Sequence, residues 1–191
     1  FRTKCLRAWR FKSSLRYHLY KNKMYIFILI LLFLILFSFF YSVIRAISWV
    51  PMWSKDLERF LNLANIQTGQ KVYDLGCGDG KLLFAAAKYG AKAEGFEISL
   101  LPYIIAKVRQ IFDKTKITVK FRDFWLINLS DADVVFFFLI PRIYPKLKKK
   151  LQKELKLGAK VIAYVWPFED WEPDQVDKVK NRPAMYLYTI K

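Results

Sequence analysis

Residues 71–99, KVYDLGCGDGKLLFAAAKYGAKAEGFEIS, hold the pattern on which the fold turns. Residues 71–75 read as a short strand that runs without a spacer into Gly76-Cys77-Gly78-Asp79-Gly80. Residues 82–89 then read as a helix closed by Gly90, and residues 91–97 as a second strand. A strand, a glycine loop and a helix in succession form a ligand cradle. Glycines accept positive φ and let a ligand approach the backbone, and the helix start offers unpaired N–H groups. The spacing is not that of a phosphate-gripping GxxxxGK[ST] loop, nor the GxGxxG of a dinucleotide loop.

The same alternation continues outward. Before the loop, residues 54–63 read as a helix with Ser54 as its cap, Asp56 and Glu58 in its first turn, and Leu57, Phe60, Leu61 and Ala64 as its apolar stripe. Residues 68–70 are a turn. After the loop come a helix at 101–112, a strand at 117–121, a strand at 134–139, a helix at 144–155 and a strand at 159–166. The strand at 134–139 is apolar on both faces, as a central parallel strand requires. Residues 176–179 and 185–190, separated by Lys180-Asn181-Arg182-Pro183, form a terminal antiparallel hairpin. The reading is an α/β fold: a mostly parallel sheet with flanking helices and a C-terminal hairpin.

The N-terminal part belongs to another environment. Residues 24–44, MYIFILILLFLILFSFFYSVI, carry no charge and are long enough to cross the roughly 30 Å hydrocarbon layer as a helix. Tyr25 and Tyr41 stand near its ends, at interfacial positions. The chain therefore divides into a basic arm at 1–23, a transmembrane helix at 24–44, a Trp-rich juxtamembrane segment at 45–53 containing Trp49, Val50, Pro51, Met52 and Trp53, and a domain at 54–191. Of the formal charge of +17, residues 1–50 contribute nine Lys or Arg and no acid, while the remainder balances 24 basic against 16 acidic residues. About half of the excess thus flanks the membrane segment, where it meets anionic headgroups, and this argues against nucleic acid as the partner. Cys5 and Cys77 lie in unlike contexts, which argues against a structural disulfide, and one histidine, His18, leaves no material for a zinc site. No metal is expected.

Asp74 followed by Gly76, Gly78 and Gly80 at the end of a first strand resembles the motif of the class I, Rossmann-like S-adenosylmethionine-dependent methyltransferases. The resemblance implies that Gly76, Cys77, Gly78 and Gly80 lie under S-adenosylmethionine and that Asp74 supports its amino-acid end. It also implies that Glu97, after the second strand, holds the ribose hydroxyls, and that Asp123, after the third, sits near the adenine amino group. A finer resemblance covers residues 49–191. Val50-Pro51, the 71–99 stretch, Asp123-Phe124-Trp125, Pro141, VIAYVWPFEDWEPDQVDKV and Met185-Tyr186-Leu187-Tyr188 are similar to the small archaeal protein-lysine N-methyltransferases and the related mitochondrial membrane-anchored lysine methyltransferases. Met52-Trp53 departs from that family, where threonine-proline often follows Val-Pro.

The resemblance implies methylation of protein lysine side chains by direct in-line transfer. A lysine acceptor must react as the free amine, and an apolar aromatic channel lowers its pKa from about 10.4. Pro51, Trp125, Pro141, Trp166, Phe168 and Trp171 are the candidates to line such a channel, with no catalytic residue singled out; aromatics in these loops also cap cores. Glu169, Asp170, Glu172 and Asp174 form an acidic cluster that either attracts a basic tail or is a solvated loop. Lys146, Lys148, Lys149, Lys150, Lys153 and Lys156 either face anionic lipid or form the wet side of a helix. Two other functions stay open: a methyltransferase for a membrane lipid amine or quinone-like molecule, and a non-catalytic membrane scaffold that has kept the fold. Topology sets two arguments against each other. The basic residues before the span place the arm in the cytoplasm, whereas an enzyme using cytoplasmic S-adenosylmethionine is expected to face the cytoplasm with its domain.

Overall fold

The computed structural model of the chain describes residues 2–44, 51–113 and 115–191. Residues 45–50, with Trp49 and Val50 of the Trp-rich segment, lie outside the described residues. The chain divides into two compact units, Phe1–Phe37 and Ser38–Lys191.

Helix α1, Arg2–Ile44, runs for 43 residues without a break, so the basic arm expected at 1–23 continues directly into the apolar stretch. Its most apolar part, Tyr20–Tyr41, has a mean hydropathy of 2.8 over 22 residues and is long and apolar enough to cross a membrane. Side chains there are exposed on every side of the helix, from Phe27 at 67% to Phe40 at 63%. A helix apolar all round is made for a surrounding as apolar as itself.

The second unit contains Pro51 to Trp53 in non-helical chain, followed by a short 3-10 turn, Ser54–Asp56, and helix α2, Leu57–Ala64. Strands β1 (Lys71–Leu75), β2 (Lys92–Glu97), β3 (Ile117–Phe121), β4 (Val134–Phe137), β5 (Lys160–Tyr164), β6 (Gln175–Asp177) and β7 (Met185–Thr189) form one sheet in the order β3-β2-β1-β4-β5-β7-β6. The first five are parallel, and β7 runs antiparallel between β5 and β6. Helices α3 (Lys81–Lys88), α4 (Leu100–Phe112) and α5 (Tyr144–Glu154) make the crossovers. This is the Rossmann-like arrangement expected from the sequence. The strand order reverses between β1 and β4, which opens a crevice at their C-terminal ends. Residues 134–137 are buried throughout, as their position at the centre of the sheet requires. The strand expected to run to Trp166 stops at Tyr164, because Val165 turns to a φ of 79° and leaves the sheet.

Two apolar layers cover the sheet. One joins Phe60, Leu61 and Ala64 of α2 and Leu83 of α3 to Val72, Phe136 and Ile162. The other joins Leu147 and Leu151 of α5 to Leu75, Val135, Val161 and Tyr188.

The start of α2 corrects the sequence reading. Ser54 is not the cap: Trp53 and Asp56 occupy the cap positions of the 3-10 turn and of α2, and neither side chain makes a capping bond. Asp56 is instead fully buried and pairs across the fold. Its Oδ2 accepts the Tyr164 hydroxyl at 2.6 Å and its Oδ1 accepts Arg59 Nη1 at 2.9 Å. Arg59 also donates to Asp177 Oδ2 at 2.9 Å and to the Pro183 carbonyl at 3.0 Å. One buried network thus ties α2 to β5 and to the terminal hairpin. Burial alone would raise the Asp56 pKa, but the Tyr164 hydroxyl, Arg59 and Arg182 outweigh it and hold the carboxyl below its ordinary value.

Replacing Arg59 by Ala removes the main countercharge of a buried carboxylate and is expected to cost about 3 kcal/mol. Tyr164→Phe is expected to cost about 2 kcal/mol, as for a hydrogen bond to a charged group. A depressed carboxyl stabilises above its unfolded-state pKa and loses that contribution as the pH falls through its folded value. Thermal unfolding in detergent should therefore show a wild-type advantage at neutral pH that shrinks on acidification.

Candidate functional site

The loop after β1 is shaped by its glycines. Gly76, Gly78 and Gly80 have φ of 86°, 54° and 76°, in the left-handed region that favours glycine. The N–H groups of Gly76 and Cys77 both donate to the Phe96 carbonyl, at 2.9 and 3.1 Å, so the loop leans on the end of β2. Glu97, 2% exposed, fixes it there: Oε2 accepts the Gly78 N–H at 2.9 Å and Oε1 accepts the Ser99 N–H at 2.7 Å.

The site contains residues that the sequence reading did not single out. Gly95 lies beside Asp74 in the β1–β2 register. A Cβ at Gly95 would stand 2.6 Å from Cys77 Cβ and 2.5 Å from Leu83 Cδ1, so the glycine loop and α3 both need the space it leaves. A glycine inside a strand was the available signal. Arg109 on α4 reaches Asp79 at 2.8 Å, and Lys81 stands 3.6 Å from the same carboxylate. The spacing between Asp79 and Arg109 gives no such hint.

Acidic groups gather at this edge. Burial pushes the Asp74 carboxyl well above its ordinary pKa, and Glu97 and Asp79 push in the same direction. Burial also raises Glu97, against the opposing hydrogen bonds from Ser99 and Gly78. The Cys77 thiol is buried and raised, first by desolvation and then by Asp74 and Glu97, so it is no nucleophile. Asp123 accepts the Trp125 N–H at 3.0 Å and caps the short turn after β3. Among the described residues no group of three or more His, Cys, Asp or Glu is placed to hold a metal ion.

A glycine cradle beside two buried carboxylates fits S-adenosylmethionine, whose amino-acid and ribose ends offer an ammonium group and hydroxyl donors to such acceptors. Asp74, Glu97 and Asp123 are acidic side chains here that could hold such a cofactor, and Gly76 to Gly80 leave room for its close approach.

Trp125, Phe168 and Trp171 belong to one of the two layers that cover the sheet, and Trp166 lies against Phe138 of the other. Trp166, 39% exposed, stacks on Phe138 at 5.9 Å, beside Tyr164. Val165 before it holds its positive φ despite a β-branched side chain, a strained conformation. Trp125 packs on Phe124 at 4.8 Å and carries Lys146 Nζ 4.4 Å above its ring. Phe168 is a core residue, 4% exposed, wedged among Phe137, Tyr144, Trp171 and Tyr188. Pro141 and Phe168 share a cavity of about 500 Å³ with Arg142, Tyr144, Glu169 and Asp170. Pro51 is exposed. The acidic cluster is partly tied down, Asp170 by Lys148 at 2.9 Å and Asp174 by Lys191 at 2.8 Å.

Gly95→Ala is expected to displace the loop, costing about 1–3 kcal/mol of stability together with cofactor affinity. Asp74→Asn should weaken S-adenosylmethionine binding about 10- to 100-fold by calorimetry, the worth of a charge-assisted hydrogen bond. A carboxyl with a raised folded pKa costs the fold nothing below its unfolded value, and progressively more as the pH rises from there toward the folded value. The cofactor-free Asp74→Asn protein should therefore be at least as thermostable as wild type at neutral pH, with the difference closing as the pH falls.

Comparison with known proteins agrees with this geometry. Residues 74–175 match the family described as the ANTKMT methyltransferase domain. A protein-lysine N-methyltransferase of Saccharolobus islandicus is 33% identical over 156 residues, covering 78% of this chain and 97% of that protein. The adenine nucleotide translocase lysine N-methyltransferase of Mus musculus is 30% identical over 132 residues, which are 66% of this chain and 56% of that protein. Among solved structures, an RNA methyltransferase from Salinibacter ruber in complex with S-adenosyl-L-homocysteine superposes with a TM-score of 0.68 at 28% identity, covering 74% of this chain and 94% of that one. The chain belongs to the ANTKMT methyltransferase domain family and is an S-adenosylmethionine-dependent methyltransferase.

Proposed function

We propose that this enzyme methylates lysine side chains of a protein, working beside a membrane through which α1 passes once. The observation that carries the reading is the 33% identity to a protein-lysine N-methyltransferase across 97% of that protein's length. Bound S-adenosylmethionine supplies an activated methyl group and a neutral thioether leaving group.

The chain's own residues supply placement and desolvation. Glu97 and the Gly76–Gly80 loop are tied together before any ligand arrives, so positioning costs little reorganisation at the moment of reaction. An acceptor lysine has to shed a proton, and apolar surroundings favour its neutral form. Trp166 with Phe138, and Pro141 with the cavity beside Phe168, provide such surroundings near the ends of β4 and β5. Glu169 at the rim of that cavity would draw a cationic side chain toward it. The domain faces the compartment that holds S-adenosylmethionine, the cytoplasm, against the bias of the basic residues that precede the span.

The test is transfer of a labelled methyl group from S-adenosylmethionine into host extract plus membranes, with Asp74→Asn as the blank. Protein, lipid and nucleic-acid fractions are counted separately. Label is expected in a protein band other than the enzyme, stable to base and mapping to lysine. Label confined to lipid or to nucleic acid would overturn the lysine reading.

A further inference from the structure

Helix α4 is apolar on two opposite sides. Pro102 and Ala106 are buried against the domain. Leu101, Ile104, Val108, Ile111 and Phe112 lie on the outer side, exposed by 45%, 42%, 47%, 77% and 82%. At 3.6 residues per turn these five fall within about a third of the helix circumference. No polar residue interrupts the arc, and α4 contains no acid. A single exposed leucine needs no explanation, but a contiguous apolar stripe marks a surface that meets something.

From this face we infer that α4 is a membrane-docking surface that rests in the headgroup layer of the bilayer. The inference rests on the reading of α1 as a membrane span. Two observations select a bilayer as the occupant. Helix α1 ends at Ile44 and the 3-10 turn before α2 starts at Ser54, so the intervening chain reaches roughly 35 Å at full extension and the domain stays beside the membrane. The charges beside the stripe are also mostly positive. Lys107 lies on α4, and Lys88 rims a groove that contains Val108 and Phe112. The acid of that groove, Asp113, is turned onto Thr115, whose N–H and hydroxyl it accepts at 2.8 and 2.6 Å. Basic residues beside an apolar helical face are what an anionic lipid surface attracts.

Part of the alternative basic face is engaged elsewhere. On α5, Lys148 pairs with Asp170 and Lys150 with Glu154, while Lys156 pairs with Asp133 just beyond its end. Because α4 begins three residues after Glu97, a docked α4 would also bring the cofactor edge of the sheet to the membrane surface.

The test uses the full chain with Cys5→Ser, reconstituted in vesicles of phosphatidylcholine and phosphatidylglycerol. Cys77 is buried and stays unlabelled. Single cysteines replacing Ile104, Ile111, Lys153 and, within the span, Leu32 carry an environment-sensitive fluorophore, and nitroxide lipids act as quenchers. Ile104→Cys and Ile111→Cys are expected to show about half the quenching of Leu32→Cys, as fits a face about 5–10 Å into the headgroup boundary. Lys153→Cys on α5 should show almost none, and quenching there equal to that on α4 would overturn the proposal. Quenching at Leu32 without quenching at Ile104 and Ile111 would overturn it as well and leave the span intact. Loss of quenching at Leu32 would overturn both. A blue shift at Ile111 without lipid quenching would mean that a second copy or another protein covers the face, which also overturns it.

Discussion

The Glu97 carboxylate sits where the glycine loop and the sheet meet. It is buried at the end of β2, and its two oxygens accept backbone N–H groups from the glycine loop and from the start of the segment leading into α4. A buried acid without such donors would be costly, and a glycine loop without such an anchor would be free to wander. Each requirement meets the other. The same contact places Gly78 against β2, and Gly95 leaves the space in which Cys77 can lie.

The neighbouring acids show how function shapes a site at some expense to stability. Asp74 and Glu97 are both buried and both pushed upward in pKa. A core built for stability alone would not keep two carboxylates so near each other. Their presence makes sense where a ligand brings the complementary ammonium and hydroxyl groups. The Asp56 network has the opposite character. There the carboxylate is met by Tyr164, Arg59 and Arg182, and its pKa falls. Asp56 is met by side chains of the chain itself, whereas Glu97 is met by backbone N–H groups of the glycine loop and of Ser99.

The surface of the second unit carries a comparable contrast. Lys148 and Lys150 of α5 are committed to acids, whereas the outer arc of α4 is apolar and exposed. Both helices are crossovers between parallel strands of one sheet, so the difference lies in what each meets outside it.

Much of this is legible in the sequence because its signals are local. Asp74, the glycines and Glu97 lie on consecutive elements whose periodicity and spacing define a strand, a tight loop, a helix and a second strand, and the strand boundaries at 71–75 and 117–121 coincide with those in the structure. The apolar run of α1 needs only its length and lack of charge. Other features are decided by tertiary structure. Arg59 and Asp177 are 118 residues apart, and nothing local reveals that they meet. Ser54 reads as a cap because serine before an apolar stripe often is one, but the packing of α2 on β5 leaves that role empty and buries Asp56. The second apolar side of α4 cannot be told from its buried side by sequence, since periodicity shows that a residue is apolar and only packing shows which way it faces.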